Sequence, residues 1–174
     1  MLGSTGTLSG TLSGSGTLTL GTGETLTLGA NFNDSGLNIV LNGGTLKLNG
    51  TNDTFGSLTV NSSSIVDFDN PAASIFDVSG ITIGTGQTLT VNNWANVVDY
   101  FYSNTNPGSA VSQITFSGYP GSVTKWNTYQ DGPDNENQVI PAPEPAAYGA
   151  VFVGASLAGL ILVRRRRLAA VRAA

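Results

Sequence analysis

The chain has 174 residues, about one average domain, with no His, no Cys, 10% charged residues and a net charge of −4. The missing side chains exclude thiol catalysis, disulfide stapling, imidazole acid/base chemistry and Cys/His zinc sites, and the wealth of Gly, Ser, Thr and Asn excludes a nearly all-helical architecture. Residues 1–145 carry only Lys47 and Lys125 against all eleven acidic residues, a net of −9 that repels phosphate backbones and argues against a nucleic-acid partner.

The first ten residues, MLGSTGTLSG, offer neither a basic region nor an apolar run, and they open inside a repeating pattern. The expectation is a C-terminal part of a longer protein, or a start at a misassigned methionine. Residues 5–91 restate one theme: Gly16-Thr17-Leu18-Thr19-Leu20, Thr25-Leu26-Thr27-Leu28, Gly44-Thr45-Leu46-Lys47-Leu48, Gly56-Ser57-Leu58-Thr59-Val60, Ile81-Thr82-Ile83 and Thr88-Leu89-Thr90-Val91. Apolar residues alternate with polar ones, the period of a strand with one buried face, and Gly- or Asn-rich breaks such as Asn42-Gly43-Gly44 and Asn49-Gly50-Thr51-Asn52 read as turns with left-handed corners. Sandwich, barrel and solenoid all fit strands of this length. The near-identical octamers Gly21–Leu28 and Gly84–Val91 start 63 residues apart, which divides into three rungs of about 21 and favours a parallel β-helix or β-solenoid.

Past Val91 the texture changes: Trp94, Tyr100, Phe101, Tyr102, Phe116, Tyr119, Trp126 and Tyr129 are 8 of the 14 aromatics. Residues 93–130 are therefore expected to form an aromatic cap over the solenoid of residues 1–92, with an exposed sugar-stacking row of Trp94, Tyr100, Tyr102 and Trp126 as the alternative. Residues 131–145 form an acidic, Pro-rich linker. Its Asp131-Gly132-Pro133-Asp134-Asn135-Glu136-Asn137 offers oxygen donors without the spacing of a known Ca²⁺ loop, so no metal or other cofactor is expected. Ala146–Val163 carries no charge and as a helix would span roughly 27 Å, enough for a bilayer core. Arg164, Arg165, Arg166 and Arg167 would hold its end on the cytoplasmic side and leave residues 1–145 outside; residues 168–174 would be a short cytoplasmic tail.

The order Pro143-Glu144-Pro145, apolar span and Arg cluster resembles the PEP-CTERM sorting signal of Gram-negative bacteria. That resemblance implies an exported protein whose tail is recognised by an integral-membrane exosortase and whose ectodomain passes from the inner membrane to the cell surface or an exopolysaccharide-containing matrix. The phrase Leu41-Asn42-Gly43-Gly44-Thr45-Leu46-Lys47-Leu48 looks like the autotransporter-associated β-strand repeats of large bacterial surface proteins.

The expected function is thus a non-catalytic surface or matrix protein. A carbohydrate-binding or adhesive module is the first alternative. An ice-binding solenoid is another, because Thr17/Thr19, Thr25/Thr27 and Thr88/Thr90 form Thr-x-Thr units, although the intervening strands Leu37–Leu41 and Ser64–Phe68 lack them. Asp67 and Asp69, expected on one side of a strand, would be the acid and base of a polysaccharide-active enzyme, the least favoured class because residues 1–145 contain no Arg and two Lys.

Overall fold

The computed structural model describes residues 4–69, 72–127 and 137–142. The alternating segments become strands β1 (Thr5–Leu8), β2 (Gly16–Gly21), β3 (Thr25–Leu28), β4 (Asn33–Asp34), β5 (Leu37–Asn42), β6 (Thr45–Lys47) and β7 (Asn52–Ser62). They continue as β8 (Ser64–Asp67), β9 (Ile75–Ile83), β10 (Leu89–Asn92), β11 (Tyr100–Ser103), β12 (Ile114–Phe116), β13 (Val123–Asn127) and β14 (Gln138–Ala142).

Apart from β4/β5 and β13/β14, which lie in the second sheet together, successive strands alternate between two sheets. The first has the order β1-β3-β6-β8-β10-β12 and the second β13-β14-β11-β9-β7-β5-β2, with β4 pairing β7. Pairing between strands is parallel except around β13 and β14, so the chain coils as a β-solenoid of about five turns. Thr5, Thr25, Thr45 and Ile65 stand in register, a rise of 20 residues per coil; Ile65, Thr90 and Thr115 follow at 25. The two octamers lie three coils apart, as their spacing predicts, but offset by two residues: Leu26 aligns through Leu46 and Val66 with Val91 rather than Leu89. An even offset keeps the same side chains pointing inward.

Each octamer opens on the same turn. Glu24 N–H donates to Gly21 O and Gln87 N–H to Gly84 O, both at 3.0 Å, across Gly23 and Gly86 with φ of 76° and 74°. The third turn position requires the left-handed conformation that glycine adopts without a Cβ penalty. The predicted corners also turn left-handed, at Gly43, Asn49 and Gly50.

Between the sheets lies one core containing Leu28, Ile39, Leu41, Leu46, Leu58, Val66 and Leu89, all fully buried. Phe32, Phe55, Phe76 and Phe101 climb through it with centroid separations of 6.2, 6.1 and 5.4 Å, so each coil rests an aromatic ring on the next. The coils close tightly at Gly44, where an added Cβ would stand 2.7 Å from Leu20 Cβ and 2.9 Å from Gly21 O. Gly44→Ala is expected to cost about 1–3 kcal/mol in urea unfolding; an unchanged midpoint would refute this close approach.

The parallel coil runs past the expected boundary at residue 92, because Tyr100–Ser103 and Ile114–Phe116 also alternate and join β9 and β10. The extra length of this coil is taken up by the 104–113 connection, which contains the 3-10 helix Gly108–Gln113. The antiparallel β13–β14 hairpin covers the end of the second sheet, and Trp94 packs edge-on against Phe116 and Tyr119 at 5.1 and 5.5 Å. Among the described residues no helix is long and apolar enough to cross a membrane; the span Ala146–Val163 lies outside them.

Candidate functional site

Asp67 and Asp69 are not two positions of one strand, because β8 ends at Asp67 and Asp69 sits in a left-handed corner with φ 41°, but their carboxylates converge on one ammonium. Asp67 is buried, and its Oδ1 accepts from Asp69 N–H and from Asn93 Nδ2. Lys47 Nζ lies 2.9 Å from Asp69 Oδ2 and 4.0 Å from Asp67 Oδ2. The hydrogen bond to Asp69 pushes the Lys47 pKa up. These groups brace adjacent coils.

The proposed stacking row is also divided. Trp94 is buried at 6% exposure, and half-buried Trp126 donates its Nε1 proton to Ser103 O at 2.9 Å. Tyr100 and Tyr102 stack at 5.9 Å on the outer face of the second sheet.

Threonine is arranged differently from the sequence expectation. Thr17/Thr19 and Leu37–Leu41 belong to the second sheet, whereas the outer face of the first carries a column of Thr5, Thr25, Thr45, Ile65, Thr90 and Thr115. The neighbouring column reads Thr7, Thr27, Lys47, Asp67 and Asn92, so paired threonines occur only on the first two coils.

Buried corner residues that sequence reasoning did not single out carry much of the polar bonding. Asp53 Oδ1 accepts from Phe32 N–H at 2.9 Å, and its Oδ2 lies 2.6 Å from Thr51 Oγ1. Asp99 accepts from Ser74 N–H and Ala95 N–H, and Ser74 Oγ accepts from Gly50 N–H. Burial raises the Asp53 pKa to about 6, against the opposing bonds from Thr51 and Phe32, and it raises that of Asp77 as well. A findable signal existed: Asp53-Thr54-Phe55, Ser74-Ile75-Phe76 and Asp99-Tyr100-Phe101 place a small polar acceptor two residues before Phe55, Phe76 and Phe101, three of the four phenylalanines of the column.

One surface depression combines shape with uniform chemistry. It measures about 500 Å³ between the turn at 84–87 and the 3-10 helix, and the residues lining it include Thr85, Thr88, Ser109, Ser112, Gln113 and Thr115. Gln113 Nε2 donates to Gly84 O at 2.8 Å and to Gln87 O at 2.9 Å, tying one wall to the other. Gln87 Oε1 in turn accepts from Ser63 N–H of the preceding coil at 2.9 Å.

No family model, curated protein or solved structure matches this chain. Among the described residues no three acidic side chains gather to hold a metal ion. Pro143, Glu144, Pro145 and Arg164–Arg167 lie outside the described residues.

Proposed function

We propose that this chain is a non-catalytic exported protein of the cell surface or extracellular matrix, sorted through a PEP-CTERM-like tail. The observation supporting the non-catalytic part is the occupation of the Asp67 and Asp69 carboxylates: Asp67 is buried on Asn93 and the Asp69 backbone, and Asp69 is paired with Lys47. A glycosidase needs one carboxyl group free to give a proton and another free to attack or to activate water. The long parallel ladder supports a scaffold role, since each coil is stabilised mainly by its neighbours and the length of the stack sets the reach of the domain. The sorting part rests on Pro143-Glu144-Pro145, the apolar span and Arg164–Arg167, in that order.

In a host with an exosortase, the mature protein is expected to lose its apolar span and Arg cluster by cleavage near Pro143-Glu144-Pro145, read by intact mass. Replacing the four arginines with neutral residues should weaken insertion with residues 1–145 outside. A mature surface protein that keeps its Arg tail would reduce the reading to simple anchoring.

A further inference from the structure

We propose that the groove between the 84–87 turn and the Gly108–Gln113 helix binds a neutral, hydroxyl-rich saccharide chain. The proposal rests on the matrix reading for the class of partner and goes beyond it by placing the contact. None of the residues lining the groove is charged and none is a large apolar residue, so an ion finds no counter-charge and an apolar ligand finds no wall. What the groove supplies is hydrogen bonding in both senses. Among the described residues the hydroxyls of Thr85, Thr88, Ser109 and Thr115 are unengaged with protein partners, and Gln113, both of whose amide hydrogens are spent on Gly84 O and Gln87 O, keeps its Oε1 as an acceptor. A sugar presents the same mixed donors and acceptors, so each can replace water on the other with little loss.

Two further observations favour this partner. The groove is pre-organised, because the Gln113 bridge joins its walls and Ser63 holds Gln87 from the coil beneath, so ordering costs little on binding. The net charge of −9 over residues 1–145 repels polyanions, which selects neutral over acidic glycans. With no aromatic ring in the groove, affinity per sugar is low and grows through repeated contacts along a polymer.

The test is saturation-transfer NMR on the full 174-residue chain, kept free of sugar detergents, with cellohexaose, laminarihexaose, maltohexaose and an acidic oligogalacturonate. At least one neutral hexaose is expected to bind and the acidic one not to. Ser112→Arg and Thr85→Arg, both at exposed positions lining the groove, should weaken binding roughly tenfold, while Thr82→Arg on the outer face of the second sheet should leave it unchanged. Binding that survives both groove variants, or falls equally with Thr82→Arg, overturns the proposal. Tail cleavage, read separately by mass, distinguishes the two readings: a processed chain that binds no neutral hexaose overturns the groove alone, and a binding chain that is never processed overturns the sorting alone.

Discussion

Mild acidification is expected to stabilise the solenoid, and Asp53→Asn to remove much of that gain. Asp53 is about 1% exposed, and its pKa is raised from 3.8 to about 6, chiefly because burial penalises the carboxylate. A raised acid pKa means that the folded chain holds the proton more tightly than the unfolded one. The associated stability is therefore fully present below about 3.8 and is lost as the pH rises through about 6. The amount is on the order of 2–3 kcal/mol for one group. The geometry agrees. Thr51 has one hydroxyl proton but lies in hydrogen-bonding reach of both Leu48 O and Asp53 Oδ2. If Asp53 is protonated, it can donate to Thr51 while Thr51 donates to Leu48 O, and both contacts are satisfied.

Other ionisable groups on the neighbouring segments include Asp34 on β4, Asp77 on β9, and Lys47 with Asp67 and Asp69 at the β6 and β8 corners. Asp77 is also raised by burial and adds to stabilisation in acid, as does relief of the overall negative charge. The informative quantity is thus the difference between wild type and Asp53→Asn in melting temperature from pH 4 to pH 8. Asparagine keeps an acceptor for Phe32 N–H and offers a donor to Thr51, as the protonated acid does. The variant should gain on wild type above pH 6 and lose its advantage near pH 4. Parallel curves would show that Asp53 does not titrate in this window.

Phe76→Ala should cost about 3–5 kcal/mol and uncouple the two halves of the coil. Phe76 is fully buried and touches Phe55 below and Phe101 above, so truncation opens a cavity in the aromatic column joining these coils. In a solenoid each coil contacts chiefly its neighbours, so a weakened internal contact lowers cooperativity as well as stability. Trp94 and Trp126 both lie C-terminal to this point and report the later coils by fluorescence, whereas far-UV circular dichroism reports all of them. Their urea transitions should coincide in wild type and separate in Phe76→Ala. Leu18→Ala, at a half-buried position near the first coil, should lower stability by much less and leave the transitions coincident. Equal effects of the two substitutions would contradict the one-dimensional coupling.

The strands, their buried faces and their left-handed corners were legible in the sequence because they depend on neighbours one to four residues away. Thr25-Leu26-Thr27-Leu28 states its own alternation, and Gly21-Thr22-Gly23-Glu24 its own turn. The number of coils between the octamers was legible too, but their two-residue offset was not, because it arises from coils that lengthen from 20 to 25 residues. Tertiary structure alone decided which strands share a sheet, and with that the fate of the threonines: Thr17 and Thr25 carry the same local pattern but face outward from different sheets. It also decided that Trp94 is core while Tyr100 and Tyr102 remain half-exposed, that Asp69 leaves the strand to meet Lys47, and that Asp53 loses its water. The groove likewise joins a turn and a helix more than 20 residues apart. Desolvation, ion pairing and concave shape are set by what lies across the next coil, and no pattern within a single strand specifies that neighbour.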